Sequence, residues 1–131
     1  MLLSRRNARA FSLVELLIAL AIVGILTTLA MPTYNAYQQR SVQTEAMVTL
    51  QLLAALQERL RLTQGRYQPV ATLLALRQLP STVADHYRLA VALEAQGAGF
   101  SMTMTPSQVD SGYSLLSIDH VGRRTPMDAW H

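Results

Sequence analysis

From Phe11 to Met31 the sequence is apolar apart from Ser12, Glu15, Thr27 and Thr28, and no charge follows Glu15 until Arg40. As a helix this stretch spans roughly 30 Å, the hydrocarbon thickness of a bilayer. It is longer than the apolar core of an ordinary secretory signal, about 7–15 residues, and it ends in Met31-Pro32-Thr33-Tyr34 rather than in small residues. A plain membrane anchor is the simplest alternative, with the preceding arginines held in the cytoplasm and the rest of the chain outside. Neither reading accounts for Glu15. A carboxylate at the centre of a membrane helix costs about 2.5–3.5 kcal/mol on insertion scales, less near an end, and marks a functional position. Its place, four residues after Phe11, needs a reason.

Charge narrows the partners. Eleven basic residues, all arginine, face eight acids. Arg5, Arg6 and Arg9 precede the apolar run, and without them eight arginines face eight acids. The excess therefore belongs to the first ten residues, and the remainder has no net attraction for nucleic acid. There is no cysteine, which excludes disulfides, thiolate metal sites and cysteine nucleophiles.

The segment Ala10-Phe11-Ser12-Leu13-Val14-Glu15-Leu16-Leu17-Ile18-Ala19-Leu20 continuing to Gly24 and Leu26 resembles the class III signal of type IV prepilins and type II secretion pseudopilins. The resemblance implies that a prepilin peptidase cuts between Ala10 and Phe11 and methylates the new amino end at Phe11. It makes residues 1–10 a leader, 11–32 a transmembrane and filament-core helix, and 33–131 the head. Glu15 matches the family's glutamate at the fifth mature position, and Gly24 and Pro32 match its helix-breaking glycine and proline. Alanine at position 10 departs from the usual glycine, which implies slower cutting.

Physical chemistry agrees with that implication. A carboxylate inside a core of packed apolar helices must be paired or protonated. The amino group of Phe11, created by cleavage, is the expected partner. Opposite charges about 4 Å apart attract by roughly 4 kcal/mol at an effective dielectric of 20. Proline inside a helix removes a hydrogen bond and costs about 3 kcal/mol. Unwinding between Gly24 and Pro32 is what the family implies for the fibre.

Beyond Pro32 the sequence reads as an α+β head. Val42, Ala46, Leu50, Leu53, Leu56 and Leu60 recur at intervals of three and four, the stripe of an amphipathic helix, with Glu58 on its far side. Gly65 suits its end. A short helix is expected at Val70–Gln78. Tyr87, Leu89, Val91 and Leu93 alternate on one face, as do Phe100, Met102 and Met104, and Leu116 and Ile118 continue the pattern. Gly97 and Gly99 punctuate a hairpin, and Pro106 to Gly112 a longer turn. The long N-terminal helix, hydrophobic then amphipathic, should pack on three or four antiparallel strands.

The tail, Asp110-Ser111-Gly112-Tyr113 through Asp119, Gly122-Arg123 and Ala129-Trp130, resembles the C-terminal region of minor pilins of the PilE and ComP type. Tyr113 and Ala129 stand where that group has its two cysteines. The resemblance implies that packing of Tyr113 and Trp130 replaces the disulfide.

No nucleotide fingerprint or nucleophile elbow appears. His86, His120 and His131 lack metal-ligand spacing, and Asp110, Asp119 and Asp128 lack the spacing of a calcium loop. Arg123-Arg124 reads as a solvated turn in preference to a phosphate contact. No enzyme, metal or cofactor is expected. The expected function is a structural, minor subunit of a bacterial type IV pilus, in the inner membrane first and then in the extracellular fibre. Its partners are other pilin subunits, prepilin peptidase and the assembly machinery. A type II secretion pseudopilin and a DNA-receptor pilin are the alternatives.

Overall fold

The computed structural model describes residues 10–130. The arginines of the leader and His131 lie outside the described residues. The order of elements is α1 (Leu13–Gln64), α2 (Val70–Leu76), α3 (Ser81–His86), β1 (Tyr87–Glu94), β2 (Gly99–Pro106), β3 (Leu116–Asp119) and β4 (Arg124–Thr125), closed by a 3₁₀ turn over Met127–Trp130. Contacts divide the chain into two units, residues 1–37 and residues 38–131.

In the first unit every described residue up to Met31 is exposed. That part of α1 is long and apolar enough to cross a membrane, and none of its most apolar stretch is buried. Its two threonines are satisfied within the helix. Thr27 donates to the Val23 carbonyl at 2.6 Å and Thr28 to that of Ile25 at 2.7 Å. No hydroxyl is left to be solvated, which suits a surface facing lipid or apolar side chains. Gly24 and Pro32 do not interrupt α1, so any unwinding there belongs to another state of the chain.

The second unit is the α+β head. Its four strands form one antiparallel sheet in the order β1-β2-β3-β4. Register stacks the apolar residues on one face: Val91 faces Met102 and Met102 faces Ile118, while Leu89 faces Met104 and Met104 faces Leu116. Onto that face α1 lays Val42, Ala46, Leu50, Leu53 and Leu60, all buried, joined by Leu73 of α2 and Val83 of α3. Leu56, expected in the stripe, is only half-buried. Gln57 takes the central place and is completely buried. It can do so because its amide donates to the Gln68 carbonyl at 2.7 Å and accepts the Gln68 N–H at 2.8 Å. A buried amide costs little when both ends are paired. This pair ties the chain after α1 back onto the helix.

The turn out of α1 goes through Gly65, at φ 79, with its N–H on the Arg61 carbonyl at 2.8 Å. The β1–β2 hairpin then meets this connection. Gly97, at φ 94, accepts the Tyr67 N–H at 3.0 Å, and a Cβ there would lie 3.0 Å from that of Arg66. A side chain would separate the two segments, which is why glycine is needed. Two expectations shift, and one element appears that the sequence did not announce. Glu58, placed on the far side, accepts the Tyr67 hydroxyl at 2.5 Å, because the chain beyond Gly65 wraps round to reach it. Leu93 is partly exposed at the end of edge strand β1, where it borders an open groove with Arg66 and Gln96. Residues 81–86, which show no helical period in the sequence, form α3, held by Pro80 carbonyl bonds to Val83 and Ala84.

Tyr87 is 1% exposed and donates its hydroxyl to the Ser114 carbonyl at 3.1 Å. Burial, aided by the nearby Tyr113, pushes its ionisation up from 10.0 to about 12. The unfolded chain therefore releases this proton before the folded one. Head stability should be flat near neutrality and fall as pH rises from about 10 to about 12, by on the order of 2–3 kcal/mol from this group. Thermal unfolding across that range, compared with Tyr87→Phe, checks it; equal slopes for the two proteins would rule it out.

Candidate functional site

The N-terminal segment places its predicted residues on one short stretch. Ala10, Phe11 and Ser12 precede the helix and are exposed, so the bond between Ala10 and Phe11 lies in accessible chain outside the helix. Helix α1 starts at Leu13 because Ser12 caps it. The Ser12 N–H donates to Glu15 Oε2 at 3.0 Å, and the Glu15 N–H donates to Ser12 Oγ at 3.2 Å. This is a reciprocal capping box, Ser-x-x-Glu, which satisfies two of the open donors of a first helical turn. Glu15 therefore has a partner in its own chain, which the apolar run alone does not reveal. The spacing Ser12 to Glu15 ahead of an apolar run was the available signal. The bond survives a cut after Ala10, since the Phe11–Ser12 peptide stays intact. Only one carboxylate oxygen is used; Oε1 has no partner among the described residues. A carboxylate near a helix N-terminus is also favoured by the helix dipole.

In the head, the long loop from Ser107 to Leu115 is fastened to α1 by two glutamines one turn apart. Gln39 donates to the Ser111 carbonyl at 2.9 Å, and Gln43 accepts the Ser114 N–H at 3.3 Å. Gly112 sits at φ 73, a conformation that favours glycine, and a Cβ there would lie 2.9 Å from Gln39 Nε2 and push the clamping amide aside. Tyr113 packs on Tyr87, with ring centres 5.6 Å apart, and on His86 at 5.1 Å. Trp130 instead takes Arg124 over its ring at 5.3 Å and sends its N–H to the Thr125 carbonyl at 3.5 Å. Tyr113 and Trp130 both pack on the core but are not brought together as a stacked pair. The loop is held by the Tyr113 packing and by the glutamine clamp, of which the tail resemblance suggested only the first.

The remaining candidates have plain structural partners. Asp119 Oδ1 accepts the N–H groups of Val121 at 3.0 Å and Arg123 at 2.8 Å, shaping the turn between β3 and β4. Arg123 lies 3.9 Å from the same carboxylate and is largely exposed. His86 Nδ1 is 2.8 Å from the Thr82 carbonyl, so the Nδ1 proton is held by backbone and the ring's orientation is fixed by its own helix. Among the described residues no three His, Asp or Glu side chains gather as metal ligands.

Two family models match. One, described as "Prokaryotic N-terminal methylation motif", covers residues 5–31. The other, described as "Type IV minor pilin ComP, DNA uptake sequence receptor", covers residues 32–114, more than half of the chain. The chain belongs to the type IV pilin family. Curated relatives agree. The type IV major pilin protein PilA of Myxococcus xanthus (strain DK1622) is 40% identical over 73 residues, 54% of this pilin and 33% of the relative. Type IV major pilin protein PilE1 of Neisseria gonorrhoeae is 28% identical over 116 residues, 88% of this pilin and 63% of the relative. The pilin thus spans from a third to just under two thirds of the relatives it matches. No solved structure gives a significant match. Family membership makes the pilin a structural protein rather than an enzyme. Its methylation motif and apolar helix fit anchoring in the inner membrane followed by entry into a pilus.

Proposed function

We propose that this pilin is a minor structural subunit of a type IV pilus, held in the inner membrane with its leader cytoplasmic and its head periplasmic until assembly. Prepilin peptidase removes residues 1–10 and methylates Phe11. The apolar part of α1 then leaves the bilayer for the filament, where it packs against other pilin subunits, and the inner-membrane assembly machinery drives the transfer. The observation that carries the reading is an apolar helix that no other described residue covers and a carboxylate four residues after Phe11. Such a surface needs either lipid or other helices. The relatives are pilus pilins, which favours a pilus over a type II secretion pseudopilus. The minor role rests on the matched family description.

Cleavage gives the first test. Mass spectrometry of protein from its native host should find a chain beginning with N-methylated Phe11. An intact Met1, or a cut after Met31, would sink the reading.

A second reading, a DNA receptor within the pilus, is favoured by the matched description and by Arg123 and Arg124 beside Trp130 around one open groove. Against it stands the balance of charge beyond the leader, because duplex affinity comes mostly from neutralised phosphates. Duplex binding is therefore expected to be weak and indifferent to sequence, no tighter than about 10⁻⁴–10⁻⁶ M at physiological salt. Fluorescence anisotropy with labelled duplex measures it. Nanomolar binding abolished by Arg123→Ala with Arg124→Ala would replace the structural reading with the receptor reading.

A further inference from the structure

We propose that the polar cavity between the end of α3 and the β2–β3 loop is a binding site for a neutral pyranose sugar. It has a volume of about 280 Å³ and is lined by Asp85, His86, Ser107, Gln108, Ser111 and Tyr113. Small-molecule pockets run from about 300 to 1,000 Å³, so this one is sized for a single ring.

The walls are fixed in advance. The Ser107 N–H donates to the His86 carbonyl at 2.8 Å, joining the two sides of the cavity. Ser111 Oγ donates to the Gln108 carbonyl at 2.7 Å, and the Gln39 and Gln43 contacts hold the loop on α1. A ligand would not have to order this loop, which removes one of the main costs of binding.

The chemistry facing the cavity is unspent. The Asp85 carboxylate, the Gln108 amide, and the Ser107 and Tyr113 hydroxyls make no hydrogen bond among the described residues, whereas Gln39, Gln43 and Ser111 nearby are all engaged. His86 holds its Nδ1 proton against Thr82, which turns Nε2 into an acceptor when the ring is neutral. The set mixes donors and acceptors around one carboxylate, as vicinal hydroxyls require, since each both gives and takes a hydrogen bond. No lysine or arginine lines the cavity, so a phosphate or sulfate would meet Asp85 uncompensated. The rings of Tyr113 and His86, 5.1 Å apart, add the apolar body on which the C–H face of a sugar can rest. The site is separate from the N-terminal assembly segment, so its test does not depend on pilus formation.

The test is an amide chemical-shift titration of the full chain in a zwitterionic detergent that contains no sugar. The probes are glucose, galactose, mannose and N-acetylglucosamine, each as the free sugar and as the methyl glycoside. At least one should shift the amides of Ser107, Gln108, Ser111 and Tyr113 saturably, with a Kd of about 1–10 mM, the affinity of an open site. Binding of the glycoside as well as the free sugar assigns the end of a glycan chain; binding of the free sugar alone assigns a free saccharide. Asp85→Ala and Gln108→Ala, both at exposed positions, should each weaken binding about tenfold or more with the melting temperature unchanged. Asp110→Ala, outside the cavity, should leave it as it was. The proposal is overturned if no probe saturates below about 100 mM, if both cavity variants bind like wild type, or if calcium or phosphate produces the same shifts instead.

Discussion

Glu15→Val should insert into the membrane and be cut after Ala10 as well as wild type, yet appear in sheared fibres at about a hundredth of the wild-type level or less. Valine suits the bilayer better than glutamate, so insertion is not impaired. If Glu15 pairs with the amino group of Phe11 in the filament core, as proposed, what is lost is one half of an ion pair in a place with little water. Removing one partner of a buried pair costs about 3–5 kcal/mol, a factor of a hundred or more at 1.4 kcal/mol per tenfold. The capping box complicates that prediction, because valine also releases the Ser12 N–H. Losing a cap costs about 1 kcal/mol. Glu15→Gln separates the two effects: glutamine serves as well as glutamate at the third position of a capping box but carries no charge. If the ammonium of Phe11 is the partner, fibres of the Glu15→Gln variant should be nearly as scarce as those of Glu15→Val. If Glu15→Gln assembles like wild type, the carboxylate is only a cap. The comparison is of membrane-bound with sheared-fibre protein in strains carrying only the mutant copy.

The capping bond would also give the proposed ion pair a geometry. With Oε2 turned back to the Ser12 N–H, the carboxylate is held beside the first turn, and Oε1 remains for a second donor. Cleavage would leave the amino group of Phe11 in the exposed chain before the helix, one residue ahead of the capped Ser12 N–H and able to turn toward its own carboxylate or away from it. A neighbouring subunit's amino group is therefore as suitable a partner as the chain's own. A pair formed between subunits would reward only one stagger, which is how a single carboxylate can help to set the register of a fibre.

How much of this was legible in the sequence depended on the range of the signal. The apolar run, the stripe from Val42 to Leu60 and the alternation of Phe100, Met102 and Met104 are periodic. The first two became the single helix α1 and the third became β2, and the stripe and the strand bury the expected face. Gly65 and Gly97 were readable as turns because positive φ is a local demand. What escaped were pairings between segments distant in sequence. Gln57 sits in the centre of the stripe, three residues before Leu60 and four after Leu53, but a glutamine there becomes intelligible only once the Gln68 backbone is brought against it. Gln39 and Gln43 look like ordinary surface residues until the loop some seventy residues later arrives on them. Helix α3 is too short for a period to emerge. The capping box is different, since Ser12 and Glu15 are neighbours and the motif was in plain view. The cost of a charge in an apolar helix points to one role for Glu15 and away from the other.

The stripe on α1 carries the second large expected effect. Leu53→Ala should destabilise the head by about 2–5 kcal/mol. Leu53 is completely buried in the core cluster that also holds Leu50 and Leu60 of its own helix and Phe100, Met102 and Met104 of the sheet. Truncation removes apolar area and leaves a hole that a helix fixed at its end by the Gln57–Gln68 pair and along its length by Gln39 and Gln43 cannot easily close. The loss should therefore fall in the upper part of that range. Val48→Ala supplies the comparison. Val48 is 49% exposed on the same helix, and truncating it should change stability by no more than about 0.5 kcal/mol. Urea unfolding of a fragment beginning at Thr33 measures both, since residues 38–131 form a unit with its own core. The midpoint should move for Leu53→Ala while the slope stays constant, the sign of altered stability without an altered denatured state. If Leu53→Ala costs less than about half a kilocalorie, or if Val48→Ala costs as much, the stripe does not face the sheet. The apolar residues of α1 beyond Pro32 would then belong to contacts between subunits, and the head would have to be held together by its sheet and loops alone.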